Sequence, residues 1–250
     1  MTDRKSTFAA LHVPGKPLVL FNVWDAGCAA AVAKAGAKAI ATGSASVAGA
    51  NGFTDGETVP LDLVIANAER IVRATDLPVS VDFESGYGGV AAEVGVSAGR
   101  LAAAGAVGIN LEDADPAHKG VEAIFSITDA AQRIAAAASA GLFVNARTDL
   151  FIRSDPASHD DAMVDAALER ARAFANAGAG CLFVPLLSDE GLLARLCEAS
   201  PLPVNAMMFP GLPDAKRLAE LGVARISHGP FPWRGAMAWV ESTAREALST

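Results

Sequence analysis

The sequence predicts an α/β protein, a (β/α)8 barrel of the TIM type forming one domain over residues 1–250, on three observations. Eight short runs rich in β-branched and aliphatic residues recur along the chain. Each is followed by an Ala-rich stretch of helical period, and alternating strand and helix units place the strands parallel in one sheet. A weak internal repeat ends helices at Gly just ahead of a strand: Ala35-Gly36-Ala37 before Ile40, Ala104-Gly105-Ala106 before Ile109, Ala177-Gly178-Ala179 before Val184, and Leu221-Gly222-Val223 before Ile226. Gly at a helix end adopts the left-handed conformation without a Cβ penalty. The 250 residues divided among eight units give about 31 each, the size of a barrel repeat; a doubly wound open sheet is the structural alternative.

The elements follow in order. A leader, 1–17, is expected to cap the barrel's lower mouth or to lie on its side. Strands are expected over 18–25, 37–44, 78–84, 106–112, 142–148, 180–186, 203–208 and 223–228. Helices such as 27–36, 61–74, 91–104 and 160–177 lie between them, and 231–248 forms a final amphipathic helix. Three strands enter through their own short signals, Leu77-Pro78-Val79, Gly141-Leu142-Phe143 and Leu202-Pro203-Val204. No Gly/Ser-rich linker or break in composition marks a second domain. Two connections are long, 44–60 and 113–127, a length typical of lids and binding loops.

Composition narrows the function. A chain that is 52% hydrophobic and 19% charged has material for a large core, yet no apolar run reaches the roughly 18 residues of a membrane helix. The start, with Asp3, Arg4 and Lys5, has no apolar run behind it, so a cytoplasmic location and no membrane partner are expected. A net charge of −8 repels a phosphate backbone, which argues against nucleic acid. Cys28, Cys181 and Cys197 are odd in number and far apart, so buried free thiols are expected.

In a barrel the strand C-termini build the active-site mouth, and here they are polar. Asp82 and Glu84, two apart on one strand, share a face, and Glu112 on the next strand comes within reach of it. Three carboxylates without a matching Lys cluster are costly to bury, and a hard divalent cation offsets them: Mg²⁺ suits oxygen-only ligation, with Mn²⁺ as the other fit. Capping of the following helices is the plainer alternative. Arg147, in Phe143-Val144-Asn145-Ala146-Arg147-Thr148-Asp149, is placed to hold a carboxylate by two parallel hydrogen bonds or to pair with Asp149 or Glu112. Gly43, Ser44 and Ala45 offer backbone N–H groups to an oxyanion, or simply allow tight packing. Asn205 ends the seventh strand. His228 ends the eighth as a pocket residue or a core histidine; His12, His118 and His159 are expected to face solvent.

At these residues the sequence resembles the isocitrate lyase/phosphoenolpyruvate mutase superfamily. The matching stretches are Asn22-Val23-Trp24-Asp25, Ala41-Thr42-Gly43-Ser44-Ala45, Gly52-Phe53-Thr54-Asp55-Gly56-Glu57, Val81-Asp82-Phe83-Glu84-Ser85-Gly86-Tyr87-Gly88, Gly108-Ile109-Asn110-Leu111-Glu112-Asp113 and Asn145-Ala146-Arg147-Thr148-Asp149. The resemblance implies a barrel whose last helix is swapped between copies in a homodimer or homotetramer. It also implies Mg²⁺-dependent chemistry on a C–C or P–C bond beside the carboxylate of a 2-oxo acid. Asp82, Glu84 and Glu112 would hold Mg²⁺ directly or through water, Arg147 the substrate carboxylate, and the backbone of Ser44 and Ala45 an enolate oxygen. Asp55 would stand beside the reacting group and Trp24 would shape the wall. Glu84 stands where many members have Asp. The lyase branch carries a Lys-Arg-Cys-Gly-His loop after strand 4, and here Asp115-Pro116-Ala117-His118-Lys119-Gly120 has no Cys; the Lys-x-Asn-Ser loop of the mutase and phosphonate hydrolase branches is also missing. The expected activity is thus Mg²⁺-dependent cleavage or decarboxylation of a small 2-oxo or 2-hydroxy acid. A P–C bond enzyme and a non-catalytic carboxylate-binding barrel are the alternatives.

Overall fold

A computed structural model describes residues 4–116 and 123–249. The strands are β1 (Leu18–Leu20), β2 (Ile40–Ala41), β3 (Val79–Asp82), β4 (Gly108–Glu112), β5 (Phe143–Arg147), β6 (Ala179–Phe183), β7 (Val204–Met207) and β8 (Arg225–Ser227). All pair in parallel, in the order β1-β8-β7-β6-β5-β4-β3-β2. A parallel bridge between Val23 and Thr42 brings the β1 and β2 edges together and nearly closes the ring. The fold is a (β/α)8 barrel. Its strands are shorter than the sequence runs, which continue as mouth loops.

The helices are α1 (Arg4–Ala10), α2 (Ala26–Lys34), α3 (Ser44–Ala50), α4 (Leu61–Arg73), α5 (Ala91–Ala103), α6 (Ile127–Ser139), α7 (Asp161–Asn176), α8 (Glu190–Ala199), α9 (Ala215–Glu220) and α10 (Phe231–Leu248). The Gly repeat has the expected physical basis, since Gly36, Gly105, Gly178 and Gly222 have φ of +97°, +95°, +95° and +89°. A Cβ on Gly105 would also stand 2.8 Å from Val72. Asp25, Ser126, Asp160, Asp189 and Asp214 accept N–H bonds as caps of α2, α6, α7, α8 and α9. None of the strand-end acids expected at the metal does so.

The barrel interior is partly polar. Arg225 is fully buried, its Nη2 donating to Asn110 Oδ1 at 3.0 Å, and Asn145 Nδ2 donates to the same oxygen at 2.7 Å. The leader closes the lower mouth: Phe8 and His12 are buried against Phe143, the His12 and Phe143 rings 4.5 Å apart. His12 is therefore not solvent-facing; its Nδ1 donates to the Phe8 carbonyl at 2.9 Å, and burial lowers its pKa to about 3. His159 likewise turns inward, Nε2 lying 3.1 Å from both Phe151 O and Ser154 Oγ. His118 lies outside the described residues. All three cysteines are free; Cys181 is buried, while Cys28 and Cys197 are half-buried. No helix among the described residues is long and apolar enough to cross a membrane.

The last helix stands apart. α10 has no buried residue along its 18 positions and exposes Met237, Trp239 and Val240. An apolar groove of about 680 Å³ lies beside β1 and α2, lined by Leu18, Val19, Phe21, Ala31 and Val32 among others.

Candidate active site

At the C-terminal mouth a cavity of about 300 Å³ is lined from every side of the ring, by Asn22, Ser44, Asp55, Asp82, Asn110, Arg147 and Ser227 among others. β3 ends at Asp82, which puts its carboxylate at the cavity floor. Its Oδ2 accepts the Ser44 N–H at 2.8 Å, and Asn110 Nδ2 lies 3.5 Å from Oδ1. The Ser44 N–H, expected at an oxyanion, is therefore committed to Asp82. Gly43 and Ala45 line the cavity beside it, at the first turn of α3 where helical N–H groups lack intrahelical partners.

Arg147 realises both readings of its position. Its Nη1 meets Glu112 Oε2 at 2.6 Å, and its Nε and Nη2 meet the two oxygens of Asp149 at 2.6 and 3.2 Å. A guanidinium has five N–H donors; three are spent on acids, and Arg147 still lines the cavity. A supporting chain fixes it from behind: Arg170 Nη1 holds Asp113 Oδ2 at 2.9 Å, and Asp113 Oδ1 accepts the Asp149 N–H at 2.8 Å.

The three acids expected at the metal separate. Asp82 lines the cavity with Asp55, whereas Glu112 is turned to Arg147. Glu84 departs further, because the strand stops at Asp82 and Glu84 has φ +49°, so the alternation that placed both side chains on one face no longer holds. Its Oε2 accepts the N–H groups of Gly56 and Glu57 at 2.8 and 2.5 Å, and its Oε1 the Tyr87 hydroxyl at 3.0 Å. Glu57 reciprocates, its Oε1 accepting from Ser85 Oγ and the Tyr87 N–H at 2.6 and 2.9 Å. The two glutamates clasp the Asp55 loop to the turn after β3. Arg133 holds that turn from below through the carbonyls of Ser85, Gly88 and Gly89, under the Phe125 ring.

Among the described residues the mouth is short of positive charge. Burial raises Glu84 to about 7, with Asp55 and Asp82 adding to the rise. Burial and then Asp82 raise Asp55, while burial pushes Glu112 well above the carboxylate range against the pull of Arg147. Among the described residues no three His, Cys, Asp or Glu side chains sit close enough together to ligate one ion directly. The described donors, all oxygen and in surplus over cations, fit a hydrated hard cation better than one held directly by three side chains.

Three further residues expected at the substrate do not line this cavity. His228 turns out of the mouth: Nδ1 donates to Leu20 O at 3.1 Å and the ring lies 5.4 Å from Phe21, since Asn22 Oδ1 has drawn in the N–H groups of His228 and Gly229. Asn205 is fully buried inside the barrel on Ser227 Oγ at 3.1 Å, below the cavity. Trp24 is half-buried, its carbonyl held by Asn67 at 2.9 Å, and it is not part of the cavity wall. The walls instead include Phe183, Leu186, Met207, Phe231 and Arg234, which no strand-end motif marked.

The family profile described as phosphoenolpyruvate phosphomutase matches residues 8–248. The chain belongs to the phosphoenolpyruvate mutase/isocitrate lyase superfamily. The 2-methylisocitrate lyase of Escherichia coli K12 is 31% identical over 216 residues, 79% of this chain and 70% of the relative. A crystal structure from Burkholderia cenocepacia J2315, assigned provisionally as a phosphonomutase, is 49% identical, with a TM-score of 0.94 and 98% of each chain covered. A phosphonopyruvate hydrolase solved with oxalate and Mg²⁺ shares the fold at 20% identity, with a TM-score of 0.84 over 99% of this chain and 88% of that one.

Proposed function

We propose that this superfamily member is a Mg²⁺-dependent lyase or decarboxylase that cleaves a C–C bond of a small 2-oxo or 2-hydroxy acid through a pyruvate-type enolate. The observation that carries the reading is the cavity floor, where Asp82 lies in an uncompensated acidic field while Arg147 keeps two N–H donors beyond Glu112 and Asp149. Asp82 would hold Mg²⁺, with Glu84 and Glu112 through water; the bound ion supplies positive charge to the 2-oxo and carboxylate oxygens. Arg147 orients the carboxylate. The first turn of α3 at Ala45 faces the oxygen that gains charge as the bond's electron pair passes into the enolate. For a 2-oxo acid Asp55, raised above its ordinary value, would carry the proton that returns to the enolate carbon; for a 2-hydroxy acid its ionised form would take the hydroxyl proton and pass it to the carbon of the other fragment that receives the bond pair.

Pyruvate release from oxaloacetate and from alkyl-substituted malates, with Mg²⁺ and with excess chelator, tests this. Turnover that the chelator abolishes is the expected result; no metal-dependent turnover of any of these acids rejects it. The 49% identity to the provisional phosphonomutase favours one second reading, cleavage of a P–C bond, for which metal-dependent consumption of phosphonopyruvate is the discriminating assay.

We also propose a cytoplasmic homodimer or homotetramer in which α10 of one copy covers the groove beside β1 and α2 of the next. The support is an exposed apolar helix and an uncovered apolar groove on the same chain. Light scattering is expected to give a mass of two or four chains, and Trp239→Glu to shift it toward one, at a loss of about 2 kcal/mol or more per contact. A parent protein of single-chain mass rejects the arrangement.

A further inference from the structure

The cavity mouth is divided by strand order. The arc from β3 to β5 is polar, with Asp82, Asn110 and Arg147, whereas the arc from β6 to β8 presents Phe183, Leu186, Met207 and Phe231. Among the described lining residues one cation belongs to the apolar arc. Arg234, in the first turn of α10, lines the cavity and pairs with no carboxylate among the described residues; its guanidinium lies 5.6 Å from the Phe231 ring centre. Arg147, by contrast, is already engaged by two acids.

The first turn of α10 is fixed in place. Trp233 lies so close to α3 that a Cβ on Gly49 would stand 2.6 Å from its ring, and the Arg234 N–H donates to Pro230 O at 3.0 Å. α3 is the helix whose first residues, Ser44 and Ala45, line the same cavity. Arg234 is thus held at the rim across the apolar arc from the Arg147 floor. β8, which leads into α10, stands opposite β4 in the ring of eight.

We propose that Arg234 is a specificity residue that binds the second acidic group of a dicarboxylic substrate whose carbons between the two acids carry alkyl substituents. The head carboxylate sits at Arg147, the alkyl groups lie against Phe183, Met207 and Phe231, and the far carboxylate takes the free guanidinium, which presents a planar pair of donors suited to it. The assignment rests on the Arg147 floor being the head-group site, as in the proposed function.

Calorimetric titration in Mg²⁺ with three probes tests it: oxalate, which has only the head group; 2,3-dimethylmalate; and 2-hydroxy-2,3-dimethylbutanoate, which replaces the far carboxylate by methyl. The parent protein is expected to bind the diacid about tenfold or more tighter than the monoacid, the worth of one charge-assisted hydrogen bond. Arg234→Gln is expected to erase that gap, with the oxalate Kd held within about twofold, and Arg234→Lys to restore part of it. A gap that survives Arg234→Gln overturns the assignment, as does an equal loss for oxalate. A change in assembled mass in the variant also overturns it, since Arg234 would then serve a contact between copies. Should the parent fail to bind oxalate with Mg²⁺, the head-group reading itself falls; should oxalate bind and the gap persist, the Arg234 assignment falls alone.

Discussion

Arg147→Gln is expected to abolish turnover and to lower stability at the same time. The guanidinium lies between Glu112 and Asp149 with 16% of its side chain exposed, and those acids are 15% and 4% exposed. Removing the cation leaves two carboxylates facing each other in a site where burial already pushes Glu112 upward. Breaking a buried pair by deleting one partner costs about 3–5 kcal/mol, which for a chain of this size lowers Tm by about 6–20 °C. The same substitution removes the donors proposed for the substrate carboxylate, so kcat/KM should fall by about a thousandfold or more. Arg147→Lys keeps a charge but not the fork, so it should regain part of the stability and little of the activity. Differential scanning calorimetry beside steady-state kinetics separates the two effects. An unchanged Tm in Arg147→Gln would contradict the argument, because Glu112 would then carry its own proton while Arg153, 3.3 Å from Asp149, held the other acid alone.

How much of this was legible in the sequence differs from residue to residue for physical reasons. The barrel was legible because Gly36, Gly105, Gly178 and Gly222 occupy conformations that favour glycine, so the repeat punctuates the chain at each helix end. Asp82, Arg147 and Asp55 were also within reach, the first two because a strand's last inward residue must face the mouth, the third through its motif. Glu84 does not share the strand face with Asp82, because alternation holds only while the strand lasts and β3 ends two residues earlier. Trp24, Asn205 and His228 show the same limit in another form: a strand-end position fixes where a residue is, not which way it turns. Asn22, accepting the N–H groups of both His228 and Gly229, decides the orientation of His228 from the other end of the chain. Arg234 had no local signal at all. It reaches the mouth through ring closure and the contact of Trp233 with Gly49, which no spacing along the chain expresses.

Asp82→Asn and Glu84→Gln are expected to part company, and the contrast tests the geometry of the floor. Asp82 lines the cavity, so replacing its charge by an amide removes the proposed direct ligand; Mg²⁺ affinity should fall by more than about a hundredfold and turnover with it, beyond the range of outer-shell changes. The fold should tolerate this substitution, since the amide oxygen still accepts the Ser44 N–H and one negative charge leaves a crowded field. Glu84→Gln keeps the clasp as well, because Gln Oε1 accepts from Gly56 and Glu57 while its amide donates to the Tyr87 oxygen. Its effect on Mg²⁺ should stay within about 10- to 100-fold. Glu84→Ala is the harsher change: two N–H groups of the Asp55 loop lose their acceptor, at about 1–3 kcal/mol each where they stay dry, and turnover falls because Asp55 is no longer held. Calorimetric Mg²⁺ titrations and kcat for the three variants decide it. A Glu84→Gln protein as deficient in Mg²⁺ binding as Asp82→Asn would make Glu84 a direct ligand, and the clasp would then have to open when the ion enters.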